Sequence, residues 1–181
     1  MPMPTENLKF STDQIAVVSR AVATAEDLAS DYYKLSATWM RRLNYDVKTV
    51  CDLFPNEIVA DHFAQIVRYR AEKKDSLLKT DVEDFYKICL QDHSILPVVD
   101  RFAEIELYPF LLYVICHELV HVVRFQRFEQ QFHVPHEQKQ AEEIRVHRIT
   151  HDMLACAHIF GIQPVLDFYK NWRNAPDMFM P

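Results

Sequence analysis

The residues best suited to chemistry are grouped in the segment His117-Glu118-Leu119-Val120-His121. Because residues four apart lie on one face of an α-helix, the two histidines can offer imidazole nitrogens to a single divalent ion. Glu118 lies about a hundred degrees further round the helix, from where it reaches a metal-bound water rather than the metal. The spacing is that of the His-Glu-x-x-His zinc site, in which the glutamate acts as general base. We therefore predict His117 and His121 as metal ligands and Glu118 as the catalytic base.

A second set of candidate ligands lies downstream of this motif. Glu143 and His147 are four residues apart in a region whose pattern predicts a helix over residues 138–160. If the chain reverses in the polar connection before it, this helix runs antiparallel to the first and brings both side chains level with His121. A catalytic zinc site uses three protein ligands and an open position for water. We expect Glu143 to be the third ligand, unless the helix phase favours Glu142, and His147 to be an orienting partner or a fourth ligand.

The motif lies in the most apolar stretch of the chain. Residues 110–123 are mostly hydrophobic, and Pro109 occupies the position of a first helical residue. A helix that is hydrophobic all round belongs in the interior, so we predict one buried helix over residues 110–128. Burying two histidines and a glutamate there is costly unless something such as a metal ion compensates them.

Helical patterns extend over most of the remaining sequence. Apolar residues recur every three or four positions from Ile15 to Leu43, which predicts a long amphipathic helix. The further predicted helices span residues 46–53, 55–73, 80–91, 94–107 and 164–174. The single glycine, Gly161, is expected to end the helix over 138–160. Since sheets use glycine at turns and bulges, we predict an all-α, single-domain helical bundle with little or no sheet.

Composition points to one soluble domain. The 181 residues are 49% hydrophobic and 25% charged, and we divide them into an arm over 1–10, a metal-binding domain over 11–174 and a tail over 175–181. A net charge of −6 without a basic run argues against nucleic-acid binding. The longest apolar run is too short to span a bilayer, so we expect no membrane association. Four cysteines without a paired motif predict buried, reduced thiols and a cytoplasmic location.

With these residues the chain resembles the zincin metallopeptidases, and within them the gluzincin branch. There the His-Glu-x-x-His motif is completed by a glutamate on a following helix, which corresponds here to Glu143; the likeness covers about residues 110–152. It implies a zinc-dependent hydrolase acting on a peptide or a small amide or ester. It also implies a sheet whose edge strand binds the substrate, which the sequence does not reveal. Where the family often carries a supporting aspartate, four residues after the third ligand, this chain has His147.

Metal-assisted hydrolysis is the predicted reaction, with Glu118 taking a proton from the attacking water and passing it to the leaving group. Two alternatives stay open. Glu118 and His121 also fit half of the ligand pattern of ferritin-like bundles that hold two iron or manganese ions, with Glu143, His147, Glu104 or Glu106 as further ligands. The other alternative is a non-enzymatic module with a structural metal or none. The content of aromatic residues, 12 Phe and 8 Tyr, would allow a homodimer face.

Overall fold

A computed structural model describes residues 8–72 and 82–173 of the chain. Its helices are α1 (Thr12–Tyr33), α2 (Ala37–Arg41), α3 (Asp92–Arg101), α4 (Leu107–Gln126), α5 (His136–Ala155) and α6 (Ile162–Phe168). Its strands are β1 (Tyr45–Lys48), β2 (Ala64–Glu72) and β3 (Val82–Leu90). Short 3-10 helices cover Val50–Asp52, Pro55–Glu57 and Lys170–Arg173.

The three strands form one mixed sheet in the order β1-β3-β2. The central strand β3 runs parallel to β1 and antiparallel to β2. The prediction of an all-α bundle with little or no sheet is therefore wrong, and the described residues form a mixed α/β protein. Strands and short 3-10 helices stand where helices were predicted over 46–53, 55–73 and 80–91.

The error arose because a short apolar run fits both the helical and the strand period. In β3 the helical interpretation used Phe85 and Cys89, which are four residues apart. The structure instead places Tyr86 and Ile88, two residues apart, on one buried face of a pleated strand. Tyr86 stacks on Phe125 of α4 with 5.5 Å between the ring centroids. This face of the sheet is thus covered by the central helix.

The scarcity of glycine was also misleading. β1 and β3 are parallel and are not joined by a tight turn, because two 3-10 helices and strand β2 lie between them in the chain. Gly161 does not end α5, which stops at Ala155. It lies at the start of α6 with a φ of 76°, a left-handed conformation that favours glycine. A Cβ atom there would lie 3.4 Å from the ring of Pro109 at the start of α4, an ordinary van der Waals contact, so the backbone conformation rather than a lack of space favours glycine.

Helix α4 forms the centre of the core, and nearly all of its side chains from residue 109 to residue 124 are buried. The buried helix predicted over 110–128 is confirmed, with its ends shifted by two or three residues. Helix α1 packs against it and has three fully buried alanines in its middle, Ala21, Ala25 and Ala29. Small side chains four residues apart let two helices approach closely.

The length and composition of α4 alone would allow it to cross a membrane, with a mean hydropathy of 1.3 over its most apolar window. The apolar run in the sequence is therefore shorter than the helix that contains it, and its length alone does not exclude a membrane span. However, 83% of that window is buried inside the protein. That is how the core helix of a soluble protein packs.

The predicted arm over 1–10 contains a residue that belongs to the core. Phe10 is buried, and its backbone N–H donates a hydrogen bond of 2.8 Å to the Asp92 carboxylate. That carboxylate also accepts one from the backbone of Val50 at 3.1 Å. The structure thus ties the start of the described chain to α3. Residues 1–7 and the predicted tail over 175–181 lie outside the described residues.

The four cysteines are free thiols. Cys89 and Cys116 are buried, as predicted. The prediction is wrong for Cys51 and Cys156, which are exposed. Cys51 lies in the short 3-10 helix Val50–Asp52 and Cys156 directly follows α5, and an apolar neighbourhood in the sequence does not ensure burial there.

Candidate metal centre

The centre is built where α4 lies against α5. Tyr113, His117 and His121 are spaced four apart and follow one face of α4. Tyr113 contacts His147, whereas His117 and His121 contact Glu143. The residue numbers fall on one helix as they rise on the other, so the two helices are antiparallel. The predicted chain reversal therefore brings the two halves of the site together.

Two imidazole nitrogens and the two oxygens of one carboxylate lie close together in this centre. The Nε2 atoms of His117 and His121 are 3.3 Å apart. The Glu143 carboxylate places one oxygen 3.2 Å from His117 Nε2 and the other 3.3 Å from His121 Nε2. Two ligands of a tetrahedral zinc ion, each bound at about 2.0–2.1 Å, are about 3.4 Å apart. The spacing of these side chains therefore fits a tetrahedral metal site.

His147 supplies a fourth side chain to the same cluster. Its ring centroid lies 4.2 Å from that of His117, and one ligand atom each of His117, Glu143 and His147 lie within 4.8 Å of one another. This group could hold a metal ion. Two sets of three ligands are thus available, one that includes His121 and one that includes His147.

Burial sets the protonation of His147, which is 4% exposed. Removal from water lowers the pKa of its imidazole to about 2, so the ring is neutral, as a metal ligand must be. Its Nδ1 atom lies 2.9 Å from the Tyr113 hydroxyl. In the tautomer that can bind a metal through Nε2, Nδ1 carries the proton and donates it to the tyrosine oxygen.

His121 and Glu143 influence each other's protonation, and the Glu143 carboxylate favours a positive charge beside it. Burial alone would lower the pKa of His121, but the Glu143 carboxylate raises it to about 9. In turn, burial would raise the pKa of Glu143, but His121 and His117 hold it well below its usual range. A proton on His121 or a bound cation would each satisfy this carboxylate. The Gln130 side-chain oxygen, 3.0 Å from His121 Nδ1, can hold that ring in the ligating orientation.

His117 is not satisfied by ordinary hydrogen bonds alone. Its Nδ1 atom is buried and has no hydrogen-bond partner among the described residues. Buried polar atoms are nearly always paired, and the exceptions call for an explanation such as a catalytic role or an ion. The unpaired atom is Nδ1, whereas Nε2 faces Glu143 and His121, so an ion bound through Nε2 would leave Nδ1 without a partner among the described residues.

Glu118 lies beside the cluster and is half-buried. Burial raises the pKa of its carboxyl group, against the opposing influence of His117 and His121. Within residues 8–72 and 82–173, no side-chain hydrogen bond or ion pair engages this carboxylate. A carboxylate with a raised pKa and no protein partner is suited to accept a proton from water and to return it.

Arg124, near the end of α4, determines whether Glu142 or Glu143 faces the histidines. Its guanidinium group is 5% exposed and donates to the Glu142 carboxylate. It also donates to Glu129 at 2.9 Å. Because neighbouring residues on a helix point in different directions, holding Glu142 on this side turns Glu143 toward the histidines.

The further carboxylates proposed for a two-metal site lie elsewhere. Glu106 precedes the first turn of α4 and is close to Gly161. It is eleven residues before His117, or about 16 Å along the helix axis. Glu104 lines a separate cleft beside Phe102. Neither residue joins the histidine cluster.

Three residues of the centre were not predicted from the sequence. Tyr113 could have been found, because it lies four residues before His117 on the same helical face. Arg124 and Gln130 carried no such signal, since each acts through a contact that depends on how separate segments pack. The missed residues orient the candidate ligands rather than contribute donors to the group.

Comparison of the chain with protein-family models, curated proteins and solved structures gave no significant match. The resemblance to the zincins therefore rests on the motif residues quoted above.

Proposed function

We propose that this protein is a zinc-dependent hydrolase acting on peptides or related amides and esters. The observation that carries the proposal is the convergence of the His117 and His121 Nε2 atoms with the two carboxylate oxygens of Glu143, at distances of 3.2–3.3 Å. Beside them lies Glu118, whose carboxylate has no side-chain partner among the described residues. Two imidazoles and one carboxylate form the donor set of catalytic zinc sites. When bound there, zinc would supply an acidified water and polarise a carbonyl group.

Each residue has a distinct task in the proposed reaction. His117, His121 and Glu143 hold the cation, and Gln130 and Tyr113 orient imidazole rings. Glu118 takes a proton from water as that water attacks the carbonyl carbon, and gives it to the leaving group when the bond to carbon breaks. The raised pKa of Glu118 supports this double role, because a carboxyl group with a raised pKa holds a proton more readily after taking it from water.

The sheet supports a peptide substrate. In the described strands, β2 has a single neighbour and is therefore an edge. An extended peptide can add to such an edge through main-chain hydrogen bonds. The zincin resemblance implies a strand of this kind, although the sequence alone did not reveal one.

A non-catalytic metal module is the second candidate. It is favoured by the approach of His147, because four protein ligands with no open position are typical of structural zinc. The ferritin-like two-metal alternative has no comparable support, since Glu104 and Glu106 lie away from the cluster. The two free exposed thiols are compatible with the predicted cytoplasmic location, which stays a proposal.

The test is a comparison of metal content and hydrolysis in matched variants. The wild-type protein is expected to bind about one zinc per chain and to cleave a mixed peptide library. Glu118→Gln should keep the zinc and lose about 10²–10⁴-fold in rate. Glu137→Gln, an exposed change in the first turn of α5, should alter neither property.

The outcomes separate the candidates. Zinc binding without hydrolysis in the wild-type protein would favour the non-catalytic module. Two metal ions per chain would support the ferritin-like alternative. Hydrolysis that survives Glu118→Gln at the wild-type rate would remove this residue from the role of base.

A further inference from the structure

A groove lies beside the edge strand of the sheet. Its volume is about 510 Å³, and it is lined by β2 and by the connection between α4 and α5. The lining side chains from β2 are Ile66, Val67, Arg68 and Arg70, and those from the connection are Phe132 and His133. None of these residues belongs to the metal centre.

Aromatic contacts link this groove to the metal centre. The Phe132 ring is 5.2 Å from that of Phe125 on α4. The Phe125 ring is in turn 6.1 Å from the ring of His121, a candidate ligand. Together these two centroid distances equal the length of about three residues of extended chain. One peptide could therefore reach both the groove and the centre.

The groove is basic in a chain that carries a net charge of −6. Arg68 and Arg70 both face Asp84, at the long ion-pair distances of 3.8 and 3.5 Å. Among the described side chains, one carboxylate thus faces two guanidinium groups. At these distances the guanidinium donors can also bond another anion, because strong pairs with carboxylates form at about 2.7–2.9 Å.

The two arginines are held in different ways. The Arg68 side chain is 16% exposed, and its guanidinium lies 4.6 Å from the centre of the Phe132 ring. This stacking keeps the cation at the wall of the groove. The Arg70 side chain is 63% exposed and can adapt to a ligand. Being two residues apart on a strand, both point to the same side, at the spacing of alternate side chains in an extended peptide.

We infer that this groove binds an extended peptide carrying an acidic side chain, and that it thereby sets the substrate class of the metal centre. The inference rests on the proposed function for its second part only. The acidic residue would contact Arg70 and Arg68, within about three residues of the bond to be cleaved. Neighbouring backbone groups of β2 would hold the peptide main chain.

Binding is tested separately from cleavage. Three fluorescent decapeptides of one sequence, with glutamate, glutamine or lysine at two alternating positions, are titrated with the zinc-loaded protein and followed by anisotropy. The glutamate peptide is expected to bind at least about 10-fold tighter than the glutamine peptide at low salt, with the difference shrinking at high salt. Equal affinities for the glutamate and glutamine peptides would overturn the inference.

Charge reversal gives the matched variants. Arg70→Glu changes an exposed side chain and should lose the glutamate preference while gaining affinity for the lysine peptide. Arg41→Glu is the control, because this exposed arginine lies on α2 and bonds Thr38. If Arg70→Glu keeps the preference for glutamate, or Arg41→Glu abolishes it to the same extent, the groove is not the binding site.

Cleavage of the same peptides distinguishes the two proposals. Tight binding of the glutamate peptide without cleavage would leave the groove supported and the proposed hydrolase in error. Cleavage of all three peptides at one rate, with equal affinities, would support the hydrolase and overturn the role of the groove. Faster cleavage of the glutamate peptide, near the acidic residues, is the expected result.

Discussion

Two buried polar clusters lie on opposite sides of the sheet, and they are built on different principles. The metal-centre cluster lies between α4 and α5 on the side of β3 that Tyr86 faces. The second cluster surrounds Glu57 and includes Lys87, whose neighbours along β3 point toward α4. Both contain a carboxylate and a basic side chain that are buried or half-buried.

In the Glu57 cluster every charge has a partner. Glu57 is fully buried, and one carboxylate oxygen accepts from Lys87 at 2.7 Å and from the Tyr69 hydroxyl. The other oxygen accepts from the backbone of Phe54 at 2.8 Å. The Gln91 side chain donates to the Glu57 carbonyl at 3.0 Å. Such a network fixes the segment before β2 and needs nothing from outside.

The metal-centre cluster is left incomplete by the protein. Its ligand atoms face one another, His117 Nδ1 has no partner in the described part of the chain, and Glu118 has none either. A cation bound by the two Nε2 atoms and Glu143 would balance the Glu143 charge, although it would not pair His117 Nδ1. The comparison teaches that burial of polar groups does not by itself mark a functional site. The metal-centre cluster differs in that His117 Nδ1 and the Glu118 carboxylate have no hydrogen-bond partner among the described residues.

The largest effect is expected from breaking the balanced cluster. Lys87→Met would leave Glu57 buried without its cation and should reduce the free energy of unfolding by about 3 kcal/mol. Urea unfolding followed by circular dichroism measures this change. Lys48→Met is the control, since its ion pair with Asp46 is well exposed, and it should change stability by less than about 1 kcal/mol. A loss in Lys87→Met no greater than in that control would mean that the Glu57 charge is not balanced by Lys87.

Removing a candidate ligand should weaken zinc binding and leave the stability of the fold largely unchanged. Glu143→Gln is expected to weaken zinc binding by more than about 100-fold, since even outer partners of a metal site contribute about 10–100-fold. Competition with a chelating dye measures the affinity. The protein should stay folded without metal, because the core of α4 does not depend on this carboxylate. Zinc affinity equal to the wild type would show that Glu143 is not a ligand.

A smaller effect is expected from releasing the helix that carries Glu143. Arg124→Met frees Glu142 from its partner, so that α5 is no longer held in one rotation and zinc affinity should fall by about 10–100-fold. The control is Arg127→Met, which removes a more exposed partner of Glu129 at 2.9 Å. If both variants bind zinc equally well while both remain folded, Arg124 does not position the site.

The pH dependence of stability sharpens the contrast further. Burial alone would raise the pKa of Glu57, but hydrogen bonds from Lys87, Tyr69 and the backbone hold it below its ordinary value of 4.5. A depressed pKa means that this stabilisation is present above about pH 4.5 and is lost as the pH falls through the folded-state value. The free energy of unfolding should therefore fall below that pH, by up to about 1.4 kcal/mol per pH unit from this group. In Glu57→Gln the same titration should be shallower, and an identical acid profile would contradict the assignment.

The smallest change is expected from an orienting hydroxyl. Tyr113→Phe removes the partner of His147 Nδ1 and should cost about 1 kcal/mol of stability. If His147 is a ligand, zinc affinity should fall as well, because the ring loses its preferred tautomer. If zinc affinity is unchanged while stability falls, His147 is not among the ligands and His121 completes the group.

Prediction from the sequence succeeded where the signal was local. The apolar run around residues 110–123 predicts a buried helix without information from any other segment of the chain. The sheet was missed because strands of four to nine residues carry little periodic signal, and their partners lie far away in sequence. Tyr86 and Arg68 pair across β3 and β2, a relation that no single segment encodes.

The sequence by itself determined that His117 and His121 share a helical face with Glu118 beside them, since the α-helical repeat fixes that geometry. It also brought Glu143 and His147 within reach, through the length of the chain reversal. Only the tertiary structure decided which glutamate faces the histidines, because that depends on the rotation of α5, and a contact between helices sets it. The basic groove beside β2 was decided in the same way, by packing between segments distant in sequence.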